Sequence, residues 1–521
     1  MKKYFQHIGS DFPASIVVLL VALPLCLGIA LGSGAPLFSG IIAGIVGGIV
    51  VGILSGSQLS VSGPAAGLTV IVAGAIGKLP AYEAFLLSVV IAGIFQLIFG
   101  YIKAGVIGHY VPNSVIKGML AAIGIILILK QMPHLVGYDT DFEGDESFLQ
   151  NDQENTFTEM LQAIKFITPS AALIGSVSLA ILIFWESAWV KKNKIVTVIP
   201  GPLVVVVIAV LVHEFFKTEA PQYVLESKHL VGLPVANDLN SFLSFFTSPD
   251  LQYLNKPAVW TSALTLAIVA SLETLLGIEA VDKLDQLKRI TPTNRELKAQ
   301  GVGNIVSGLI GGIPLTSVVV RSSANVTAGG KTKTATILHG VMLLICVMFI
   351  PTILNKIPLC ALAAILIFTG YKLVKIKLIK EFYFKGFDQF IPFITTIIAI
   401  LVTDLLIGIM IGIGVGLFFM IRSNFRSAIL VVNDKNNYMI RLRKDVSFLN
   451  KPIIKLKLEE IPANAYVLID AIRADFIDKD IIEEINTFLE YAPSKNINVE
   501  IKKSSIKPMH MLFQEPKNPR P

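Results

Sequence analysis

Charge is scarce in this sequence: Asp, Glu, Lys and Arg make up only 16% of 521 residues, while 53% are hydrophobic. Such a balance excludes a soluble enzyme and indicates an integral membrane protein. Cysteine is scarcer still. Cys26, Cys346 and Cys360 sit in apolar segments at no metal-ligand spacing, so neither a disulfide framework nor a metal site is implied, and they read as packing residues. The seven histidines, His109, His134 and His339 among them, form no nucleophile or metal cluster, and the chain reads as a non-enzyme. One stretch lacks a whole sign of charge. Between His134 and Thr158 stand Asp139, Asp141, Glu143, Asp145, Glu146, Asp152 and Glu154, without one Lys or Arg.

Long apolar stretches are what the sequence has in abundance. They recur from Phe12 to Ile421, among them Ile41 to Leu54, Ala84 to Ile102, Val115 to Leu129, Ala171 to Trp185, Ala258 to Leu276 and Ile391 to Met420, the last split near Asp404. These predict a polytopic α-helical membrane protein of about fourteen segments, roughly seven per half. If both termini are cytoplasmic, the acidic stretch faces out. Lys191, Lys192, Lys194, Lys283, Lys288, Arg289, Arg295, Lys298, Lys331, Lys333, Lys372, Lys375, Lys377, Lys380 and Lys385 then face in, following the positive-inside bias. The net charge of +7 is therefore spread over one membrane face, not clustered with stacking aromatics, and does not signal nucleic acid. Lys2 and Lys3 precede an apolar run that continues to Leu54, which favours an uncleaved first span over a signal peptide.

Two apolar segments, one in each half, are interrupted by Gly and Pro: Ser60-Val61-Ser62-Gly63-Pro64-Ala65-Ala66-Gly67 and Gly311-Gly312-Ile313-Pro314-Leu315-Thr316-Ser317. Corresponding breaks in two halves point to a transporter. A helix that starts at mid-membrane leaves its first N–H groups unpaired and its positive dipole end exposed, and an anion satisfies both. Ser62, Gly63, Ala65, Ala66, Leu315, Thr316 and Ser317 are accordingly candidate anion ligands; the alternative is that Gly and Pro merely allow close helix packing. Glu273 follows the apolar run Ala263 to Ala270 with no basic residue in its own segment. An ionisable group inside a membrane is a functional candidate, here for a coupling cation, Na⁺ or H⁺; the alternative is an internally paired carboxylate, with Arg321 as partner. Arg321 lies about 10 Å along a helix beyond Pro314. It either adds positive potential beneath the anion or anchors its segment through an ion pair.

After Arg422 the composition shifts to charged, period-two segments. Tyr438 to Leu442, Ala465 to Asp470 and Ile497 to Ile501 read as strands and Lys479 to Leu489 as an amphipathic helix, giving a small α/β domain. Residues 1–425 form the membrane domain, 426–507 the small domain, and 508–521 a Pro-containing tail expected to be disordered.

Several motifs resemble a known family. Asp11-Phe12-Pro13-Ala14-Ser15, Ala22 to Ala30, the break at Leu59 to Pro64, Tyr110 to Gly118, Glu296-Leu297-Lys298 to Asn304, and Gly311 to Arg321 are similar, in order, to the sulfate permease (SulP) family of inorganic anion transporters. The C-terminal unit resembles the STAS domain that family carries. The resemblance implies inverted repeats of seven segments, a core moving against a gate in an elevator-like way, a homodimer, and an anion site between the starts of the third and tenth segments. It implies a cation-binding carboxylate at Glu273 and a bicarbonate or sulfate symporter, placed in a bacterial inner membrane with both termini cytoplasmic. Gly277 departs from sodium-dependent members, which carry a hydroxyl there, and Leu25 departs from members with Gln. An uncoupled channel or uniporter, a membrane anchor for the small domain, and a nucleobase transporter of the same plan are the rivals. The last is disfavoured because Leu315 to Arg321 holds no carboxylate to pair a base edge. Asp470, Asp475, Asp478 and Asp480 surround the turn before the small domain's helix, read as a solvated acidic turn. With no Ser or Thr from Phe476 to Ile482, a phosphorylation switch there is not expected.

Overall fold

The computed structural model describes residues 7–139, 148, 155–187, 190, 199–236, 238–374, 376–403 and 405–517. Lys2, Lys3, Asp141, Glu143, Asp145, Glu146, Asp152, Glu154, Lys191, Lys192, Lys194, Lys375 and Asp404 lie outside the described residues. The chain divides into two compact units, Met1–Ile413 and Gly414–Pro521.

In the first unit the apolar stretches fold as helices, because inside a bilayer each backbone N–H and C=O must find a partner within the protein. They are α1 (Ile8–Gly32), α2 (Leu37–Leu54), α3 (Ala66–Lys78), α4 (Tyr82–Tyr101), α5 (Asn113–Leu135), α6 (Pro169–Trp185), α7 (Gly201–Glu219), α8 (Pro257–Leu284), α9 (Thr293–Leu309), α10 (Val319–Thr327), α11 (Thr334–Phe349), α12 (Leu359–Leu373), α13 (Phe387–Val402) and α14 (Leu405–Ala428). Among the described residues, seven helices are long and apolar enough to cross a membrane, or eight counting the bent pair Thr156–Lys165 and Pro169–Trp185. The rest are shorter or, like α14, apolar over only part of their length. With nine residues, α10 spans about 13 Å against the ~30 Å of a hydrocarbon core, so it is a half-span.

Short helices follow both breaks. Before α3 the chain runs extended as β1 (Ser62–Gly63), and before α10 as β2 (Thr316–Ser317); the two pair antiparallel, Ser62 opposite Ser317 and Gly63 opposite Thr316. Two packing groups surround this pair. α4 lies along α9 and α8, and α1 along α2 and α11; elsewhere α5 packs on α12 and α13, and α6 on α12 and α7. β1 passes close to α2, where a Cβ at Gly47 would meet Ser62 O at 2.3 Å, so only glycine fits.

The second unit has its own apolar core, including Ile440, Val467, Ile469, Ile481, Ile485 and Phe488. A four-stranded sheet runs in the order β3 (Ile429–Asp434), β4 (Asn437–Leu442), β6 (Tyr466–Asp470), β8 (Asn498–Lys502); β3 is antiparallel to β4, and the other neighbours are parallel. β5 (Lys444–Val446) pairs with β7 (Ala474–Ile477). Parallel strands need crossover connections, and two of these are helical: α15 (Lys451–Glu459) leads into β6 and α16 (Lys479–Tyr491) into β8. The apolar side of α16 anticipated from Ile481, Ile482, Ile485 and Phe488 is buried.

Asp475 and Asp480 of the acidic turn are exposed to solvent, and its carboxylates also have local partners: Asp478 caps α16 by accepting from Asp480 N–H (3.1 Å), Asp475 pairs with Lys507 (2.9 Å) and Asp470 with Arg441 (2.8 Å). The expectation of a disordered tail is corrected. The tail from 508 is folded through residue 517, because Phe513 inserts into the core and His510 is buried. Burial holds the His510 imidazole below its usual pKa, so the neutral ring accepts from Ser504 N–H at Nδ1 (3.0 Å) and donates from Nε2 to Ala474 O (3.2 Å).

Candidate functional site

The two breaks are bound to each other by more than strand pairing. Ser60 Oγ lies 2.6 Å from Ser317 Oγ, Ser322 Oγ accepts from Val61 N–H (2.9 Å), and Val318 N–H donates to Val61 O (3.0 Å). These bonds satisfy the backbone where neither segment is helical.

Beyond the pair, α3 and α10 begin without any side-chain cap. Leu68 N–H already closes on Ala65 O (3.1 Å), so Ala66 and Gly67 supply the first-turn donors of α3; Val319, Val320 and Arg321 supply those of α10. Each start also carries about half a positive charge from its dipole. Ala66, Gly67, Val319 and Val320 line one cavity, together with Ser317, Val318, Val269, Glu273, Leu276 and Gly277. Its opposite wall is Met119 and Ile123 of α5 and Leu405, Leu406 and Ile409 of α14. The cavity therefore lies between the two helix starts with α8 on one side and α5 with α14 on the other.

Glu273 rests against the start of α3: a Cβ at Gly67 would come within 3.0 Å of its Oε1. Arg321, fully buried, turns toward the same break from α10. Its Nη2 donates to Pro64 O (3.5 Å), and a Cβ at Gly63 would meet Nη1 at 2.1 Å. The absent hydroxyl at position 277 has a steric reason, since a Cβ there would meet Ser317 O at 2.5 Å.

Of the residues singled out from the sequence, the cavity brings together Ala66, Ser317 and Glu273. Ser62, Gly63, Leu315 and Thr316 stand behind it in or next to the paired strands, Ala65 is the buried residue preceding α3, and Arg321 is buried under β1. The sequence reading offers the N–H groups of Leu315 and Ser317 to an anion; in the structure Leu315 N–H is donated to Asn304 Oδ1 (2.7 Å) and Ser317 N–H to Thr274 Oγ1 (3.4 Å). Extended backbone in apolar surroundings needs these partners, so the donors left open lie one turn further on, at Val319 and Val320. The α5 and α14 wall was missed because Met, Ile and Leu in a membrane helix carry no distinguishing signal. Gln300 and Asn304 were missed although polar side chains spaced by four in a Gly-rich segment were there to be read.

The model of the family described as "Sulfate permease family" matches residues 8–396. A putative sulfate transporter YvdB of Bacillus subtilis (strain 168) is 26% identical over 443 residues, covering 85% of this chain and 79% of the relative. The bicarbonate transporter BicA of Picosynechococcus is 24% identical over 427 residues, covering 80% and 70%. Among solved structures, the transmembrane domain of a cyanobacterial bicarbonate transporter BicA superposes with a TM-score of 0.54 at 20% identity, covering 79% of this chain and 98% of that one. SLC26A9 superposes with a TM-score of 0.68 at 15% identity, covering 97% and 86%. Both likenesses show the same fold, and the second spans the C-terminal unit as well.

Proposed function

Because the chain belongs to the sulfate permease family of anion transporters, we propose that it moves a small inorganic oxyanion, sulfate or bicarbonate, across the membrane by secondary active transport. The observation that carries this reading is the convergence of two uncapped helix starts and one membrane-embedded carboxylate on a single cavity. Two oriented sets of N–H groups suit an oxyanion, and the apolar wall excludes the water that would compete for them. No bond of the anion is made or broken.

Glu273 is the coupling group. An inside-negative potential opposes anion entry by about 2.3 kcal/mol per charge per 100 mV, which a co-transported cation offsets. Sodium asks for several oxygen ligands, whereas the cavity offers the Glu273 carboxylate and the Ser317 hydroxyl, with glycine at 277. That donor set suits a proton better than Na⁺. The cavity lies between the group holding α3, α8 and α10 and the group holding α5 and α14, so sliding one against the other in an elevator-like motion would carry the site across. The basic loops support cytoplasmic termini in a bacterial inner membrane, and a homodimer completes the proposal.

The test is uptake of labelled sulfate and labelled bicarbonate into proteoliposomes under imposed H⁺ or Na⁺ gradients, for the native chain and Glu273→Gln. The expected result is gradient-driven uptake of one anion that the variant loses. Uptake indifferent to both gradients and to Glu273 would identify a uniporter or channel instead.

A further inference from the structure

The motif from Glu296 to Asn304 has no part in the cavity, yet it is hydrogen-bonded to both interrupted segments that build one side of it. Glu296, Gln300, Asn304 and Ser307 follow one another at intervals of four, four and three residues and so share one face of α9. All four are buried. Such a row is unfavourable unless its polar groups are partnered, and apart from Gln300 Oε1, which has no hydrogen-bond partner among the described residues, the partners lie mostly on or beside the two breaks. Glu296 Oε2 accepts from Ser55 Oγ (2.6 Å) and Gly56 N–H (3.2 Å), just past α2. Gln300 Nε2 donates to Ser62 Oγ of β1 (2.7 Å) and to Glu296 Oε1 (3.1 Å). Asn304 accepts from Leu315 N–H (2.7 Å) and donates to Leu315 O (3.1 Å), engaging both polar groups of the residue before β2 as a neighbouring strand would. Ser307 donates to Ile313 O (2.8 Å), while its carbonyl accepts Gly312 N–H (2.7 Å). Asn304 Nδ2 also donates to Gln96 Oε1 in α4 (2.7 Å), and Gln96 Nε2 reaches Ser271 Oγ in α8 (3.4 Å), two residues from Glu273.

We propose that α9 is the ruler of the site, and that Gln300 and Asn304 are positioning residues whose hydrogen bonds set the spacing of the α3 and α10 starts and thereby which oxyanion fits. This rests on the anion-site reading of the cavity. One turn of helix separates Gln300 from Asn304, a fixed rise of about 6 Å. β1 is held at one end of that rise and β2 at the other. The donors at Ala66 and Gly67 and those at Val319 and Val320 follow directly from these strands, so a change at either bond alters the gap between the two donor sets. Recognition by fixed N–H groups is sensitive to displacements well below the size of the ion.

The test compares the full native chain, Asn304→Asp, Gln300→Met and the cavity-filling Ile123→Trp in proteoliposomes, with initial rates of labelled sulfate and bicarbonate uptake normalised to folded protein. Asn304→Asp keeps the acceptor for Leu315 N–H and removes the donor to Leu315 O. Gln300→Met is gentler, because it takes one neutral N–H donor from the Ser62 hydroxyl and leaves the backbone of β1 untouched. The expected result is a KM raised about tenfold in Asn304→Asp and about threefold in Gln300→Met, with maximal rate per folded protein within about threefold and an altered ratio of sulfate to bicarbonate KM. A merely structural role would lower the yield of folded protein and leave both KM values and their ratio native, which overturns the proposal. Ile123→Trp separates the two readings: unimpaired uptake in that variant refutes the cavity as the site, whereas blocked uptake there with native KM in both α9 variants refutes the ruler alone.

Discussion

The α3 and α10 breaks are paired strand to strand, yet they are furnished differently. The start of α3 is built from Ala66 and Gly67 and gathers both charges of the region, Glu273 from α8 at Gly67 and Arg321 from α10 at Pro64. The start of α10 is three consecutive valines, Val318 to Val320, with its own arginine turned toward the other break. The two halves thus divide the work: α3 offers close backbone approach beside a carboxylate and a guanidinium, and α10 offers N–H donors set in an apolar wall. On the proposed reading, a carboxylate and a guanidinium at one helix start suit a site for an anion and a cation together.

The largest effect is expected from Arg321→Gln. Arg321 is fully buried, and it carries the asymmetry because its charge acts at the opposite break. Truncating a buried charge on which a bound ligand depends costs about 2–5 kcal/mol of binding, the upper part of which is more than a hundredfold in affinity. Proteoliposome uptake should therefore fall at least about a hundredfold while Arg321→Lys retains a measurable fraction, since a positive charge persists without the planar fork. If both variants unfold equally and the residual folded protein transports normally, Arg321 is an anchor and the charges at α3 have no shared role.

A smaller effect is expected from Gly277→Ser, which adds to α8 the hydroxyl this chain lacks. A Cβ at this position would meet Ser317 O at 2.5 Å, so β2 or α8 must move. Because β2 is also held by Asn304 and by β1, the displacement should lower uptake about tenfold. A variant that instead gains Na⁺-dependent uptake would show that the backbone yields and that a hydroxyl completes a cation site beside Glu273. That result would make the α3 side the cation side outright.

Most of this division was legible in the sequence, for identifiable reasons. Gly and Pro inside apolar runs announced both breaks, and a lone carboxylate among alanines and leucines announced Glu273. What remained hidden depends on pairing between distant segments. Nothing local to Leu315 reveals that its N–H is taken by Asn304, or that Ser62 and Ser317 face each other across a strand pair. In the second unit the strands Tyr466–Asp470 and Asn498–Lys502 and the helix Lys479–Tyr491 followed their periodicity. β5 and β7, of three and four residues, are too short to show a period. The tail was misread because one phenylalanine, Phe513, outweighs the surrounding prolines and charges once a core exists to receive it.

The smallest effect is expected where the two breaks are most alike. Ser60 Oγ and Ser317 Oγ lie 2.6 Å apart and join the breaks through one hydroxyl from each. Ser60 is not among the residues lining the cavity, so Ser60→Ala should leave uptake within about twofold of native, and lower stability by roughly 1 kcal/mol for one lost neutral hydrogen bond. Thermal unfolding of the purified full chain, read beside uptake, checks both numbers. The Ser317 hydroxyl, left without its Ser60 partner, would turn toward the cavity that Ser317 lines, and a modest change in KM without loss of rate is the sign of that turn. A loss of uptake beyond about tenfold would contradict the arrangement, because an effect of that size requires the hydroxyl pair itself to contact the anion. The site would then lie between the strands, behind the helix starts, and the contrast between an alanine–glycine start and a valine start would no longer bear on selectivity.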